Sequence, residues 1–235
     1  MIENPDIHII SDNAVIVAYP EVIDEKVNAL VMDLYLCLGH EKETNQVFRG
    51  VLEMVPTYHT LQIIFDPLVC NPYDLVNEVQ SLIKGQKEIS KHNGRVIRIP
   101  VCYELPYGPD LDLVCQHHGL SRAEVIRRHT ARKYLIFMMG FTPGFPYLGG
   151  MDESISMNRK EKPRLKIPAG SVGIAGAQTG VYPVESPGGW QIIGRTPYRL
   201  FDPQAVKPFL FEAGDQIEFY SISVETYKRL KHKST

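Results

Sequence analysis

The chain has 235 residues, enough for one large domain or two modest ones, and its 44% apolar content suffices to bury a core. A net charge of −2 gives bulk electrostatics no reason to favour nucleic acid or an acidic membrane as partner. The opening Met1-Ile-Glu-Asn-Pro5 lacks the basic-then-apolar run of a secretory leader, and the apolar runs stop well short of a membrane span. Cys37, Cys70, Cys102 and Cys115 are scattered with no CxxC pair, so buried free thiols in a reducing, cytoplasmic setting are expected.

A strand is expected over 14–19, where β-branched residues dominate. Asp24 then caps a helix with Val27, Leu30, Val31 and Leu34 on one face and Gly39 as its stop. Strands follow over 50–55 and 59–65, joined by a connection of hairpin length. Asn71 caps a second helix, with Pro72 at its first position and Leu75, Val76, Val79, Leu82 and Ile83 as its stripe. The polar stretch 84–94 reads as a linker, and a strand over 95–101 completes the order βαββαβ. That order suits a ferredoxin-like α/β sandwich. The domain boundary falls at the linker, giving domains of 1–92 and 93–235.

In the second domain, a helix over 109–115 ends near Gly119. Ser121 and Glu124 form a capping box that opens a helix over 125–129. A buried-looking strand over 133–139 feeds a segment, 141–203, unlike the rest of the chain. More than half of the 18 glycines lie between Gly140 and Gly194, no side chain from Ile167 to Val184 is charged, and Trp190 is the sole tryptophan. Short apolar runs punctuated by Gly and Pro point to short strands and tight turns in a barrel or sandwich. Main chain turned this tightly either surrounds a ligand or serves barrel geometry alone. A late strand is expected over 216–221, and the basic tail 228–233 reads as a solvated end.

The Walker loop and the dinucleotide fingerprint are both absent. Ser171 sits in an elbow-like Ala-Gly-Ser-Val-Gly run, but the residues after it cannot open the helix an elbow requires. Cys115, His117 and His118 match no common zinc spacing, and no metal is expected. Gln178 and Thr179 offer amide and hydroxyl groups to a small polar ligand, or else bond turn backbone. Arg164 and Arg195 carry guanidinium groups suited to a carboxylate or phosphate, whereas Lys166 reads as surface charge. Phe145, Tyr147, Tyr182 and Trp190 either wall a pocket or pack as plain core.

The runs GFTPGFPYLGG (140–150), PRLKIPAGSVGIAGAQTGVYPVESPGGWQIIGRTP (163–197) and LFDP (200–203) resemble the signature of the allophanate hydrolase subunit 1 family. VPTYHTLQIIFDP (55–67) and YGPDLDLV (107–114) match more loosely, so the resemblance covers nearly the whole chain. The family includes the B component of 5-oxoprolinase and the kinase inhibitor KipI. The resemblance implies an α+β chain: a ferredoxin-like N-terminal domain followed by a cyclophilin-like β-barrel. It also implies work in a complex, with the A and C components of an ATP-dependent 5-oxoprolinase that opens 5-oxo-L-proline to L-glutamate. ATP is then a co-substrate of the complex, and the resemblance does not say which component holds it. Carried onto this chain, the resemblance points to Arg164, Gln178, Thr179, Tyr182 and Arg195 as pocket polar groups. Phe145 and Tyr147 would form a wall, and no catalytic residue is assigned. Two other family roles stay open: a KipI-like inhibitor of a histidine kinase, and a carboxyltransferase component acting on urea or a related small amide.

Overall fold

Val15 and Val17, like Leu61, Ile63 and Phe65, are fully buried and alternate with more exposed neighbours. This period of two builds the first sheet. The computed structural model describes residues 4–85 and 94–232, and the chain divides into two units, Met1–Asn93 and Gly94–Thr235.

The first unit contains β1 (Asp6–Ser11), β2 (Ala14–Ala18), α1 (Glu25–Thr44), β3 (Val51–Pro56), β4 (Thr60–Phe65) and α2 (Pro72–Gly85). Its four strands are antiparallel in the order β1-β2-β4-β3. Val31, Leu34 and Leu38 of α1 and Leu75 and Val79 of α2 pack with the sheet residues into one core. Asp24 caps α1 through the N–H groups of Lys26 and Val27. Gly39, however, does not end that helix, which runs to Thr44 and is capped by Asn45. Nothing crowds the glycine, and the Glu-Lys-Glu-Thr run beyond it favours continuation.

The expected βαββαβ closure also takes a different form. The strand over 95–101 is β5 (Val96–Val101), and it pairs in the second unit's sheet, parallel to β13 (Gln216–Ser221). The outer place beside β2 is filled by β1, joined through a turn at Asp12 and Asn13. The residues between 85 and 94, where the linker was expected, lie mostly outside the described residues.

The second unit continues with α3 (Leu111–His118), α4 (Arg122–Thr130), β6 (Lys133–Met139), β7 (Pro146–Leu148), β8 (Arg164–Ile167), β9 (Ser171–Ala175), β10 (Gln178–Val181), β11 (Ser186–Gly188) and β12 (Gln191–Arg195). After β13 comes α5 (Val224–Lys231). Seven strands run in the order β12-β9-β10-β7-β6-β13-β5, while β11 and β8 form a separate two-stranded ribbon. The outer strands β12 and β5 meet where Cys102 and Arg195 exchange two main-chain hydrogen bonds of 2.9 Å, which nearly closes the sheet into a barrel. That closure depends on Gly194: a Cβ there would lie 2.5 Å from Val101 Cγ1 and 3.0 Å from the Cys102 carbonyl oxygen. Ile99, Tyr134, Ile136, Val172, Ile174 and Phe219 fill the interior.

The basic tail is not simply a solvated end. Its cations lie on the exposed side of α5, which Ser223 caps and Tyr227 anchors. The Tyr227 ring is buried 4.1 Å from that of Tyr107. Residue 233, the last of that tail, lies outside the described residues.

Candidate functional site

The aromatic residues of the Gly/Pro segment converge on one wall of the barrel. Phe145 precedes β7, Tyr147 lies within it, Tyr182 follows β10 and Trp190 precedes β12. Phe145 is the hub, edge-on to Tyr147 at 5.0 Å, Tyr182 at 5.2 Å, Trp190 at 5.5 Å and Phe141 at 5.7 Å. Near-perpendicular packing is what ring quadrupoles favour, and each such pair adds about 0.5–1.5 kcal/mol beyond burial. Room for the cluster comes from Gly180, paired with Tyr147 across the sheet. A Cβ at Gly180 would stand 2.9 Å from Phe145 Cζ and 3.0 Å from Trp190 Cζ3.

The cluster does not fill its own space. A cleft of about 100 Å³ remains, bounded by Phe141, Phe145, Tyr147, Arg159, Tyr182, Gly188, Gly189 and Trp190. Its lining combines the rings of Phe141, Phe145 and Trp190 with the two phenols, and Arg159 is the cation among these residues. Burial pushes the Tyr182 hydroxyl up to about 12, against the opposing pull of Arg159, so it stays protonated as a donor. Burial likewise raises Tyr147, again opposed by Arg159. The Arg159 guanidinium carbon lies 6.0 Å from the Trp190 ring centroid. At the mouth, Phe141 is 62% exposed and holds φ at 66°, a left-handed conformation that a bulky residue adopts at a cost.

Two polar clusters support this wall from behind. Asp110 is buried, and its Oδ1 accepts from Arg164 at 2.7 Å and Lys160 at 3.0 Å. Its Oδ2 accepts the Ile192 N–H at 2.7 Å. Burial pushes the Asp110 carboxyl up, but the donors outweigh it and hold the group below its ordinary value. The second cluster is a hydrogen-bond chain through the barrel interior: Tyr103 Oη to His129 Nδ1 at 2.7 Å, and His129 Nε2 to Thr179 Oγ1 at 2.9 Å. Thr179 in turn donates to the Gly173 carbonyl at 3.0 Å. Since that donation uses the only hydroxyl hydrogen, Thr179 must accept from Nε2–H. Burial pushes His129 down to about 3, so the ring is neutral and Nδ1 accepts from Tyr103.

Of the seven residues singled out from sequence, Phe145, Tyr147 and Tyr182 come together in the cleft. Arg164 turns to Asp110, and Thr179 points into the barrel interior. Gln178, half-buried, opens β10. Arg195 lies at the barrel closure, its guanidinium 5.9 Å from the Tyr107 ring. Sequence reasoning missed Arg159, Asp110 and His129. Arg159 sits in Met-Asn-Arg-Lys-Glu-Lys (157–162), which reads as a solvated loop, and nothing in its spacing sets it apart. Ser171 starts strand β9 rather than a helix, as the elbow argument required. Among the described residues no group of three or more His, Cys, Asp or Glu is placed to hold a metal ion. No helix among them is long and apolar enough to cross a membrane.

A nearly closed barrel with a small aromatic cleft on its wall defines the class, a mixed α/β protein. Residues 5–211 match the family described as Carboxyltransferase domain, subdomain C and D, and the chain belongs to that family. It is 41% identical to the B component of 5-oxoprolinase from Bacillus subtilis (strain 168), over 96% of each chain. Among solved structures it resembles TTHA0988, at 32% identity and a TM-score of 0.77, over 89% of this chain. The present chain spans only 40% of that protein. The Kluyveromyces lactis urea amidolyase shares the fold, with a TM-score of 0.74 at 20% identity, covering 98% of this chain and 15% of that one.

Proposed function

We propose that the chain is the B component of an ATP-dependent 5-oxoprolinase, acting with the A and C components to hydrolyse 5-oxo-L-proline to L-glutamate. The observation that carries this reading is the 41% identity, over 96% of both chains, to the Bacillus subtilis protein of that name. The reading takes residues 1–92 as a ferredoxin-like domain whose fourth strand comes from the N-terminus, and 93–235 as a cyclophilin-like barrel.

The cleft supports a binding role for this component. At about 100 Å³ it is well below the ~300 Å³ at which pockets for drug-sized ligands begin. A five-membered ring is of a size that suits it. The chain also carries no Walker loop. A five-membered lactam is a stable amide, which is why its opening is coupled to ATP. This chain's part is to hold the ring on an apolar floor, exclude water from its faces, and present a phenol donor to its polar atoms.

The test is reconstitution. The purified components with 5-oxoproline and ATP should release glutamate, and omitting this chain should abolish it. Undiminished glutamate without the chain would remove it from the reaction.

A further inference from the structure

The cleft has one cation, and the proposed substrate has one feature that a plain lactam lacks: a carboxylate. We propose that Arg159 is the carboxylate anchor and specificity-determining residue of this cleft, gripping the acid of a small cyclic amide while the Phe145 and Trp190 rings hold its ring. This inference rests on the 5-oxoprolinase reading and assigns the site that reading leaves open.

Four observations carry it. Arg159 lines the cleft, with its guanidinium carbon 6.0 Å from the Trp190 ring centroid. It forms no ion pair with a carboxylate among the described residues, whereas its neighbours Lys160 and Arg164 are both committed to Asp110. Its fork is therefore open to an incoming acid. Tyr147 and Tyr182 line the same small space as the guanidinium, and both phenols feel its charge. Finally, Tyr182 lines the same cleft, and burial keeps its hydroxyl protonated and able to donate to the ligand. A carboxylate held by the guanidinium and the Tyr182 hydroxyl, with its ring on an aromatic floor, uses the cation and the donor that the cleft walls offer together.

Trp190 is the sole tryptophan and forms part of the cleft, so its emission reads occupancy directly. The full chain, alone and in the reconstituted complex, is titrated with 5-oxo-L-proline, with 2-pyrrolidinone (the same lactam without the acid) and with ATP. We expect a saturable response to 5-oxoproline and one at least about tenfold weaker to 2-pyrrolidinone, as a charge-assisted pair implies. Arg159→Gln should weaken 5-oxoproline binding about tenfold or more, leave 2-pyrrolidinone unchanged, and raise KM far more than it lowers kcat. Arg159→Lys should restore part of the selectivity. Because Arg159 is exposed, neither variant should alter the melting temperature.

Equal binding of acid and lactam by the wild-type chain, or unaltered selectivity in Arg159→Gln, overturns the proposal. So does a response to ATP that 5-oxoproline does not compete away, which would make the cleft a nucleotide site. If the complex makes glutamate while Trp190 never responds, the anchor lies elsewhere and the function stands. If Trp190 discriminates the acid but no glutamate forms, the anchor stands and the assigned reaction falls.

Discussion

Thr179 and His129, fifty residues apart, meet inside the barrel with Oγ1 2.9 Å from Nε2. Neither reaches water, since both are fully buried. The pair is balanced by Tyr103 on one side and the Gly173 carbonyl on the other, so every polar atom in the chain is used. Thr179→Val keeps the shape but strands the histidine N–H. It should cost about 1–3 kcal/mol in urea unfolding, whereas Thr179→Ser should cost less than half of that. Equal losses would show that the methyl group, and not the hydroxyl, is what matters.

The same histidine sets a pH dependence. Its folded value, about 3, lies below its ordinary 6.5, so the unfolded chain binds this proton more readily than the folded one. Its contribution is full above 6.5 and is lost as pH falls from there towards 3. Stability should therefore decline across that window by up to about 1.4 kcal/mol per pH unit from this group. In His129→Gln, less stable at pH 7, the decline between pH 6.5 and 4 should flatten. Thermal melts at half-unit steps measure it.

Much of the fold was legible because local rules and burial agree. Asp24 and Ser121 cap the helices they precede, and the stripe of α2 faces the core, as spacing alone required. What sequence could not give was partnership. The run over 95–101 is an apolar strand in any fold, and only pairing with β13, more than a hundred residues later, decides which sheet it joins. The site divides the same way. Phe145, Tyr147 and Tyr182 were visible because aromatic residues stand out in a Gly/Pro segment. Arg159 was not, because a cation among cations acquires meaning only when Trp190 folds beneath it. Thr179 looked like a ligand group because its strand neighbours are uncharged, and the barrel turns it inward to a histidine that spacing did not connect to it.

Asp110 binds three donors from distant segments and so ties α3 to β8 and β12. Asp110→Ala would leave Arg164 and Lys160 repelling each other without a counter-charge. We expect a loss of about 2–3 kcal/mol, below the figure for fully buried pairs because both cations keep partial contact with water. The carboxyl lies below its ordinary 3.8, so its stabilisation is present above that value and is lost as pH falls through the lowered one. Asp110→Asn should therefore reduce the acid sensitivity below pH 4 while leaving the His129 limb between pH 6.5 and 4 in place.

Gly180→Ala tests whether the cleft needs its aromatic floor. The new methyl would press on Phe145 and Trp190 at distances near 3 Å, so the rings must shift. Overpacking of this kind costs about 1–3 kcal/mol. The Trp190 emission maximum should move, and glutamate production by the complex should fall more than tenfold, as small misplacements in positioning groups allow. A variant that melts lower yet keeps full activity would separate the floor from the reaction.

Phe141 joins strain to exposure, a combination that folding alone does not favour. Its φ of 66° costs a residue with a side chain about 1–2 kcal/mol, and 62% of its surface stays in water. Its contact with Phe145 at 5.7 Å returns only part of that. If the conformation serves to hold a ring over the cleft mouth, relieving the strain and removing the ring should separate. Phe141→Gly should be more stable than Phe141→Ala by about 1 kcal/mol, since only glycine adopts this φ freely. Both variants should lose the same share of 5-oxoproline binding, read from Trp190 emission, because both lack the ring. Matching stabilities would mean that the backbone is not strained there, and binding that survives in both would mean that the mouth needs no cover from this chain.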